Sequence, residues 1–296
     1  MYIENTIFEY NGLRLNDQQS DPKNHFLLLE VSGLSGVEFK ENEQERQNDV
    51  GVYDYQAYTG RREITFNGEI KGEDEKRILM MENLLRQKFS TNPAAIGESY
   101  HLLKWIENGV GKQMSAKVMK LPVFTEKLYI EKRKKFTIVL KAADPRVYSQ
   151  AEPSGSQDRC YQTGSLHLPT KLACQFTVEM QNKLQLRNQG NYAATPIFII
   201  HGPCVNPEIK NATYGISQKF NITLEEGKYI TVDTASSRAT GSDGSDVLYT
   251  IVGGSKWICF LPGINEIHFL TGDIDPLVSN QTPTSYLEIN YRHTWL

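Results

Sequence analysis

One stretch of this chain repeats its apolar residues every three or four positions, and it stands alone in doing so. In GEDEKRILMMENLLRQKFS, residues Ile78, Met81, Leu85 and Phe89 recur at helical steps with Leu84 beside them. That spacing predicts one amphipathic helix over 73–90. Glu73, Asp74 and Glu75 precede it and Arg86 and Lys88 close it, which suits the helix macrodipole. Thr91-Asn92-Pro93 marks its end. Elsewhere the apolar residues alternate or form short runs bounded by turn residues, which is the mark of strands. The fold class expected is therefore mainly β with one main helix.

The strands fall into two groups. HFLLLEV (25–31) and REITFNGEI (62–70) precede the helix, and SYHLLKWI, KQMSAKVMKL, KLYIEKR and KKFTIVLKA follow it. Ile64, Phe66 and Ile70 share one parity, so one face of their strand is buried. Consecutive β-like runs with short polar breaks imply antiparallel meanders. The second half shows no amphipathic helix. CQFTVEMQNKLQLRN, TPIFIIHG, NPEIKNATYG, KFNITLEEGKYITVD, VLYTIV, KWICFLPG, NEIHFL and SYLEINYRHTWL read as the strands of a β-sandwich.

Composition sets the boundary between the groups. Residues 1–150 hold 22 basic and 22 acidic side chains, against 10 and 13 in 151–296. The drop coincides with SQAEPSGSQD, whose Ser, Gly and Pro disfavour helix and ladder alike. The expected organisation is a first domain over 1–148, a linker over 149–158 and a second domain over 159–296. A formal net charge of −3 argues against a general binder of nucleic acid or anionic membrane. No apolar run is long enough for a membrane helix, and the first residues lack a secretion-signal pattern. No membrane insertion is expected.

Motifs that carry chemistry are scarce. No zinc-protease, phosphate-loop or serine-elbow pattern occurs. Cys160, Cys174, Cys204 and Cys259 form no C-x-x-C pair and read as small buried hydrophobes. His201 with Cys204 supplies two soft ligands, too few for a tetrahedral zinc site. Asp273 and Asp275 lack a liganding Glu or further Asp nearby and read as a turn. Asn211, Asn221 and Asn280 lie in N-x-[ST] sequons that read as chance matches. Trp257, Trp295, Tyr291 and Tyr214 are the candidates for a sugar-stacking platform, with buried core aromatics as the plainer reading. No enzyme, no cofactor and no metal is expected. The polar stretch 40–49 reads as a hairpin arm, solvated or reaching a neighbouring subunit. The basic run 131–135 reads as a solvated edge or a face for acidic neighbours.

The order of motifs carries a resemblance. YTGRREITFNGEIKG (58–72), the helix, and FTIVLKAADPRVYS (136–149) resemble the N-terminal domain of siphophage distal tail (Dit) proteins. In that pattern a G-R-x-[IV]-x-[IVF]-x-G strand precedes a helix and an A-x-DP-x-x-Y segment ends the domain. Gly60, Arg61, Ile64, Phe66, Gly68, Asp144, Pro145 and Tyr148 occupy those places. NQGNYAATPIFIIHGPCVNPEIKNATYG, EGKYITVDT, LPGINEIHF and YRHTWL resemble the family's C-terminal sandwich, so the resemblance covers almost the whole chain.

The resemblance implies an N-terminal sandwich or barrel-like domain with the helix, and a galectin-like C-terminal β-sandwich. It implies a structural part of the tail tip or baseplate: a homo-hexameric ring joining the tail tube (major tail) protein to the tail-tip or tail-associated lysin. Receptor-binding or other baseplate proteins would sit on the periphery. DNA would pass through the channel without specific binding. The site of action would be the virion tail tip, after assembly in the host cytoplasm. The arm 40–50 and the strand 58–72 are the expected subunit contacts, with Gly60, Arg61, Arg62, Ile64 and Phe66 as candidate interface residues. The alternative is a carbohydrate- or cell-wall-binding module on a tail. No galectin-type H-x-N-x-R signature accompanies the implied fold, and fold likeness alone licenses no sugar site.

Overall fold

In the computed structural model, residues 6–37, 39–46, 50, 52–90, 100–125, 132–158, 162–167, 175–180, 183–272 and 285–296 are described. The chain divides into two compact units, Met1–Gln150 and Ala151–Trp295. It is mainly β, with one α-helix among the described residues.

The first unit is built on β1 (Phe8–Tyr10), β2 (Leu13–Leu15), β3 (His25–Ser32), β4 (Phe39–Glu45), β5 (Val52–Thr59), β6 (Arg62–Lys71), α1 (Glu75–Lys88), β7 (Tyr100–Glu107), β8 (Val110–Phe124), β9 (Arg133–Ala142) and β10 (Val147–Ser149). Seven strands form one antiparallel sheet in the order β2-β1-β7-β8-β9-β6-β3, and β10 pairs with the first part of β8. Alternation decides the faces. Ile64, Phe66 and Ile70 of β6, and Phe136, Ile138, Leu140 and Ala142 of β9, all point into one core.

That sheet curls until its ends meet. The rings of Phe8 on β1 and Phe66 on β6 lie 5.3 Å apart edge to face. Four strand spacings separate those strands along the sheet, about 19 Å if it were flat. Asn16, directly after β2, makes the closure. Its N–H donates to Phe26 O on β3 at 2.7 Å. Its Oδ1 accepts from Leu28 N at 3.3 Å, and its Nδ2 donates to Thr6 O at 3.1 Å. The residue is buried and holds φ +65°, a left-handed conformation that Asn tolerates better than most side chains.

The helix covers one end of this barrel-like body. Asp74 caps it by accepting from Arg77 N at 2.7 Å. Ile78, Met81, Leu85 and the following Phe89 turn inward, and Phe89 stacks on Tyr10 at 4.9 Å. The Tyr10 hydroxyl donates to Ala116 O at 3.2 Å, and burial pushes its pKa up to about 12. Glu82 is also buried, held by Lys134 of β9 and by Arg86 one turn on.

The second unit is a β-sandwich. One sheet contains β11 (Ser154–Asp158), β15 (Ile197–His201), β20 (Tyr229–Asp233), β21 (Arg238–Gly241) and β23 (Tyr286–Asn290), in the order β11-β23-β15-β20-β21. The other contains β14 (Leu184–Asn188), β17 (Glu208–Asn211), β18 (Ile216–Lys219) and β22 (Gly263–Leu270), in the order β14-β22-β17-β18. Short pairs β12 (Gln162–His167) with β13 (Gln175–Met180), and β16 (Cys204–Val205) with β19 (Thr223–Leu224), complete it. Phe198, Ile200, Ile230, Val232, Leu287 and Ile289 meet Ile209, Ile267 and Phe269 in its core.

Three sequence expectations are corrected. The stretch read as a linker contains β11, which pairs with β23 from Ser154↔Asn290 to Asp158↔Tyr286. Its small residues do not prevent pairing at a sheet edge. VLYTIV is a 3-10 turn over Leu248–Thr250, and KWICFLPG carries only an isolated Ala194–Phe260 bridge before β22 begins. KWICFLPG buries alternate residues, Ile258 and Phe260, without joining a ladder, while VLYTIV buries Val247 and Thr250, three apart, and makes one isolated bridge from Ile251 to Phe220. KLYIEKR lies mostly outside the described residues.

If Asn16 is the latch of the barrel, Asn16→Gly should lower unfolding stability by about 2 kcal/mol, since it leaves a buried donor and acceptor unpaired while permitting φ +65°. Asn16→Ala should cost about 1 kcal/mol more because its Cβ disfavours that backbone. Urea titrations of the two variants test this; a wild-type midpoint for Asn16→Gly would refute the latch.

Candidate assembly surface

β4 and β5 form a hairpin that belongs to neither large sheet. Its register runs from Phe39↔Thr59 at the base to Glu45↔Val52 near the tip, with a bulge between Lys40 and Asn42. Phe39, Tyr53 and Tyr58 expose 66%, 52% and 58% of their surface. A two-stranded ribbon is marginal alone, and large exposed aromatic residues call for a partner.

The base of the hairpin leads into β6 through Gly60 and Arg61. Arg62, the first residue of β6, points inward and is only 3% exposed. Its Nε donates to Pro145 O at 3.0 Å, and its Nη1 donates to the carbonyls of Gly33 and Leu34. Nη2 is buried without a partner. Burial pulls the Arg62 pKa below the usual arginine range. Gly33 holds φ +83°, and a Cβ there would stand 1.8 Å from Glu63 O, so this approach to β6 requires glycine.

Pro145 is held in turn by its neighbours. Asp144 accepts from Arg146 Nε at 2.8 Å, Arg146 Nη2 at 2.9 Å and the Tyr148 hydroxyl at 2.7 Å. Burial raises the Asp144 pKa, but these hydrogen bonds outweigh it and leave the carboxyl below its ordinary value. Gly68 is fixed by space: an added Cβ would lie 2.4 Å from Leu27 O and 2.6 Å from the Phe136 ring.

A cleft of about 470 Å³ opens at the foot of the arm, lined by Gly33, Gly36, Val37, Lys40, Arg61, Arg62 and Glu63. Arg61 faces solvent and pairs with Glu63 at 2.6 Å. The five candidate interface residues therefore separate. Gly60, Arg62, Ile64 and Phe66 are buried within the unit, and Arg61 alone presents its side chain outward. Strand parity could have shown this, since Arg62 shares the phase of Ile64 and Phe66.

Other candidates resolve into structure. In the basic run, Arg133 pairs with Glu69 at 3.4 Å and Lys134 with Glu82. Tyr291 is buried with its hydroxyl on Arg187 O, Trp257 packs on the core, and of the four candidate stacking residues Tyr214 alone is exposed. His201 stacks on Tyr286 at 4.1 Å, with Tyr229 on its other side at 5.6 Å. Tyr286 lies face to face with His201 and Tyr229 is tilted against it, and both tyrosines remain exposed. Cys204 is buried and Cys259 half-buried, and no cluster of three metal-ligating side chains occurs among the described residues. Asn211 is fully buried, donating to Asn265 Oδ1 at 3.1 Å, so its sequon is closed to glycosylation. Asn221 is exposed; Asn280, Asp273, Asp275, Cys160 and Cys174 lie outside the described residues.

No protein-family model and no curated sequence matches the chain. Solved structures do. The crystal structure of SPP1 Dit, described as a paradigm of the hub adsorption apparatus in Gram-positive infecting phages, superposes with a TM-score of 0.64 at 13% identity, over 98% of this chain and 99% of that one. The chain has the Dit fold. Chains of the phage P2 baseplate in its activated conformation align with TM-scores of 0.45 with Ca and 0.43 with Sr, each at 9% identity. The first spans 97% of this chain and 98% of its own length, the second 97% of both. On the Dit fold seen here, the G-R-R and A-x-DP motifs meet through Arg62 and Pro145, which lie 83 positions apart.

The depressed Asp144 carboxyl predicts a pH dependence. Its stabilisation is fully present above the ordinary Asp value of about 3.9 and is lost as pH falls through the lower folded value. Asp144→Asn should cost about 1 kcal/mol at pH 7, a modest figure because the carboxylate is partly exposed and screened. The gap to wild type should shrink below about pH 4, in unfolding curves taken from pH 7 to 3; a gap that stays constant would show that the charge contributes nothing.

Proposed function

We propose that this protein is a structural hub of a phage tail tip. The observation that carries the reading is the full-length likeness to SPP1 Dit, in which both units take part. The ordered motifs support it, because the residues that carry them hold the fold together. In this reading the first unit, 1–148, builds a homo-hexameric ring, and the second, 159–296, is a galectin-like sandwich on its rim. The ring joins the tail tube protein above to the tail-tip or tail-associated lysin below and carries receptor-binding or other baseplate proteins. DNA passes through without specific binding, and the protein performs no catalysis. Its place is the virion tail, assembled in the bacterial cytoplasm.

The arm of β4 and β5 supports ring assembly physically. Exposed aromatic side chains on a two-stranded ribbon gain buried area when a second subunit covers them. Arg61, at the arm's foot, is the member of the candidate set placed to take part in such a contact.

Negative-stain electron microscopy with light scattering of the purified chain tests the reading. Six-subunit rings with an open centre are the expected result. Deletion of 41–48 should abolish the rings while thermal unfolding of the subunit stays within a few degrees of wild type. Intact rings after the deletion would remove the arm from the subunit contact, and a glycan-binding monomer would favour a cell-wall-binding module.

A further inference from the structure

A row of charge crosses the outer face of the main sheet. Glu63 of β6 stands opposite Lys141 of β9, Lys141 opposite Lys117 of β8, and Lys117 opposite Tyr100 of β7. These side chains point away from the core, since Ile64, Leu140, Ala116 and Val118 beside them are buried. Arg61 already holds Glu63 at 2.6 Å, and the Lys117 ammonium lies 5.2 Å from the centre of the Tyr100 ring. A ring attracts a cation without neutralising it. Lys117, Lys141 and Lys120, which stands opposite Val139, form no ion pair among the described residues. Four cations against Glu63 leave a formal charge of +3. Like charges directly opposite on adjacent strands weaken a sheet, so Lys117 and Lys141 do not serve the fold.

Beside these lysines β8 breaks its alternation. Its register against β9 shifts between Val118 and Lys120 and again between Lys120 and Val123. Such irregularities re-aim side chains, and here Met119, Lys120 and Leu121 are exposed in succession. A regular strand would turn one of the three inward. Met119, Leu121 and Val123 expose 38%, 54% and 61% of their surface. The face therefore sets unpaired lysines next to aliphatic side chains that gain by leaving water.

We infer that this face of β8 and β9 docks an acidic protein surface with an aliphatic centre, supplied by a neighbouring tail protein. This rests on the hub reading above and adds the chemistry of one neighbour. Charge complementarity calls for carboxylates opposite Lys117, Lys120 and Lys141. Met119, Leu121 and Val123 then supply apolar area that a sugar-phosphate backbone would leave unused. The net charge of −3 on the whole chain also suits a protein partner better than a nucleic acid. Two copies meeting through this face would set lysine against lysine, so it makes no self-complementary contact.

Charge reversal tests the face in the full chain, with Lys117→Glu, Lys120→Glu and Lys141→Glu combined. The probes are a labelled glutamate–leucine copolymer, poly-L-glutamate and a short DNA duplex, compared at one salt concentration. The wild type should bind the copolymer more tightly than either other probe, and the triple variant should bind it about tenfold more weakly. Lys117→Gln with Lys141→Gln serves if the reversal fails to fold, with a smaller loss in the same direction. That pair should also raise the midpoint of thermal unfolding by about 2 °C, because it removes a repulsion. A lower midpoint would show that the lysines serve the fold and overturn the inference. Equal binding of the two polymers, tighter binding of DNA, or undiminished binding by the variants would overturn it too. Silence of every probe would overturn it and leave the hub reading intact. Wild-type rings that the triple variant cannot form would assign the face to a contact between copies, which also overturns it. Absence of rings from the wild type counts against the hub alone, and copolymer binding lost in the variant then still sustains the docking face.

Discussion

A curled sheet must dispose of its two edges, and in this protein that task falls on Asn16. Without its hydrogen bonds to Phe26, Leu28 and Thr6, β2 and β3 would be free edges, each a template for stray pairing. With them, Phe8 meets Phe66 across the interior and the core becomes continuous. The helix then has a rim to sit on, and its buried Glu82 finds Lys134 at the start of β9. Closure comes first in the logic of the first unit because every other packing contact assumes it.

The second unit reaches order by a different device, a set of buried asparagines. Asn188 donates to Tyr192 O and Phe260 O while its Oδ1 accepts from Gly190 and Thr294 N–H groups. Asn265 donates to Leu261 O and Gly263 O and accepts from Asn211. A buried amide offers two donors and an acceptor, enough to tie irregular segments to a sandwich edge. These residues sit inside the NQG, NP-x-I-x-N and PGxNxIxF motifs, so motifs that looked like a family signature are the joints of loops.

The sequence made the strands, the helix and its cap legible because each has a period or a chemical signal. It did not separate ladder from core-filling coil. Ile258 and Phe260 alternate like a strand, yet the segment makes one bridge, because alternation records which side chains are buried and not what the backbone bonds to. The candidate site shows the same limit from the other side. Arg61 and Arg62 are adjacent and identical in type; one lies on the solvent face and the other inside. Parity with Ile64 and Phe66 contained that information, but the partners of Arg62, at Gly33, Leu34 and Pro145, come from segments far away in sequence.

Closure has a consequence for assembly. The main sheet of the first unit has its two edge strands, β2 and β3, tied together through Asn16 at Phe26 and Leu28. A closed body that must still contact its neighbours needs an appendage, and the β4–β5 ribbon is the part of the unit that stands outside the sheet. Its exposed Phe39, Tyr53 and Tyr58 would be a liability on a solitary protein. The arginine that locks the fold at Pro145 also lines the cleft at the foot of the ribbon, so ribbon and barrel share one anchor.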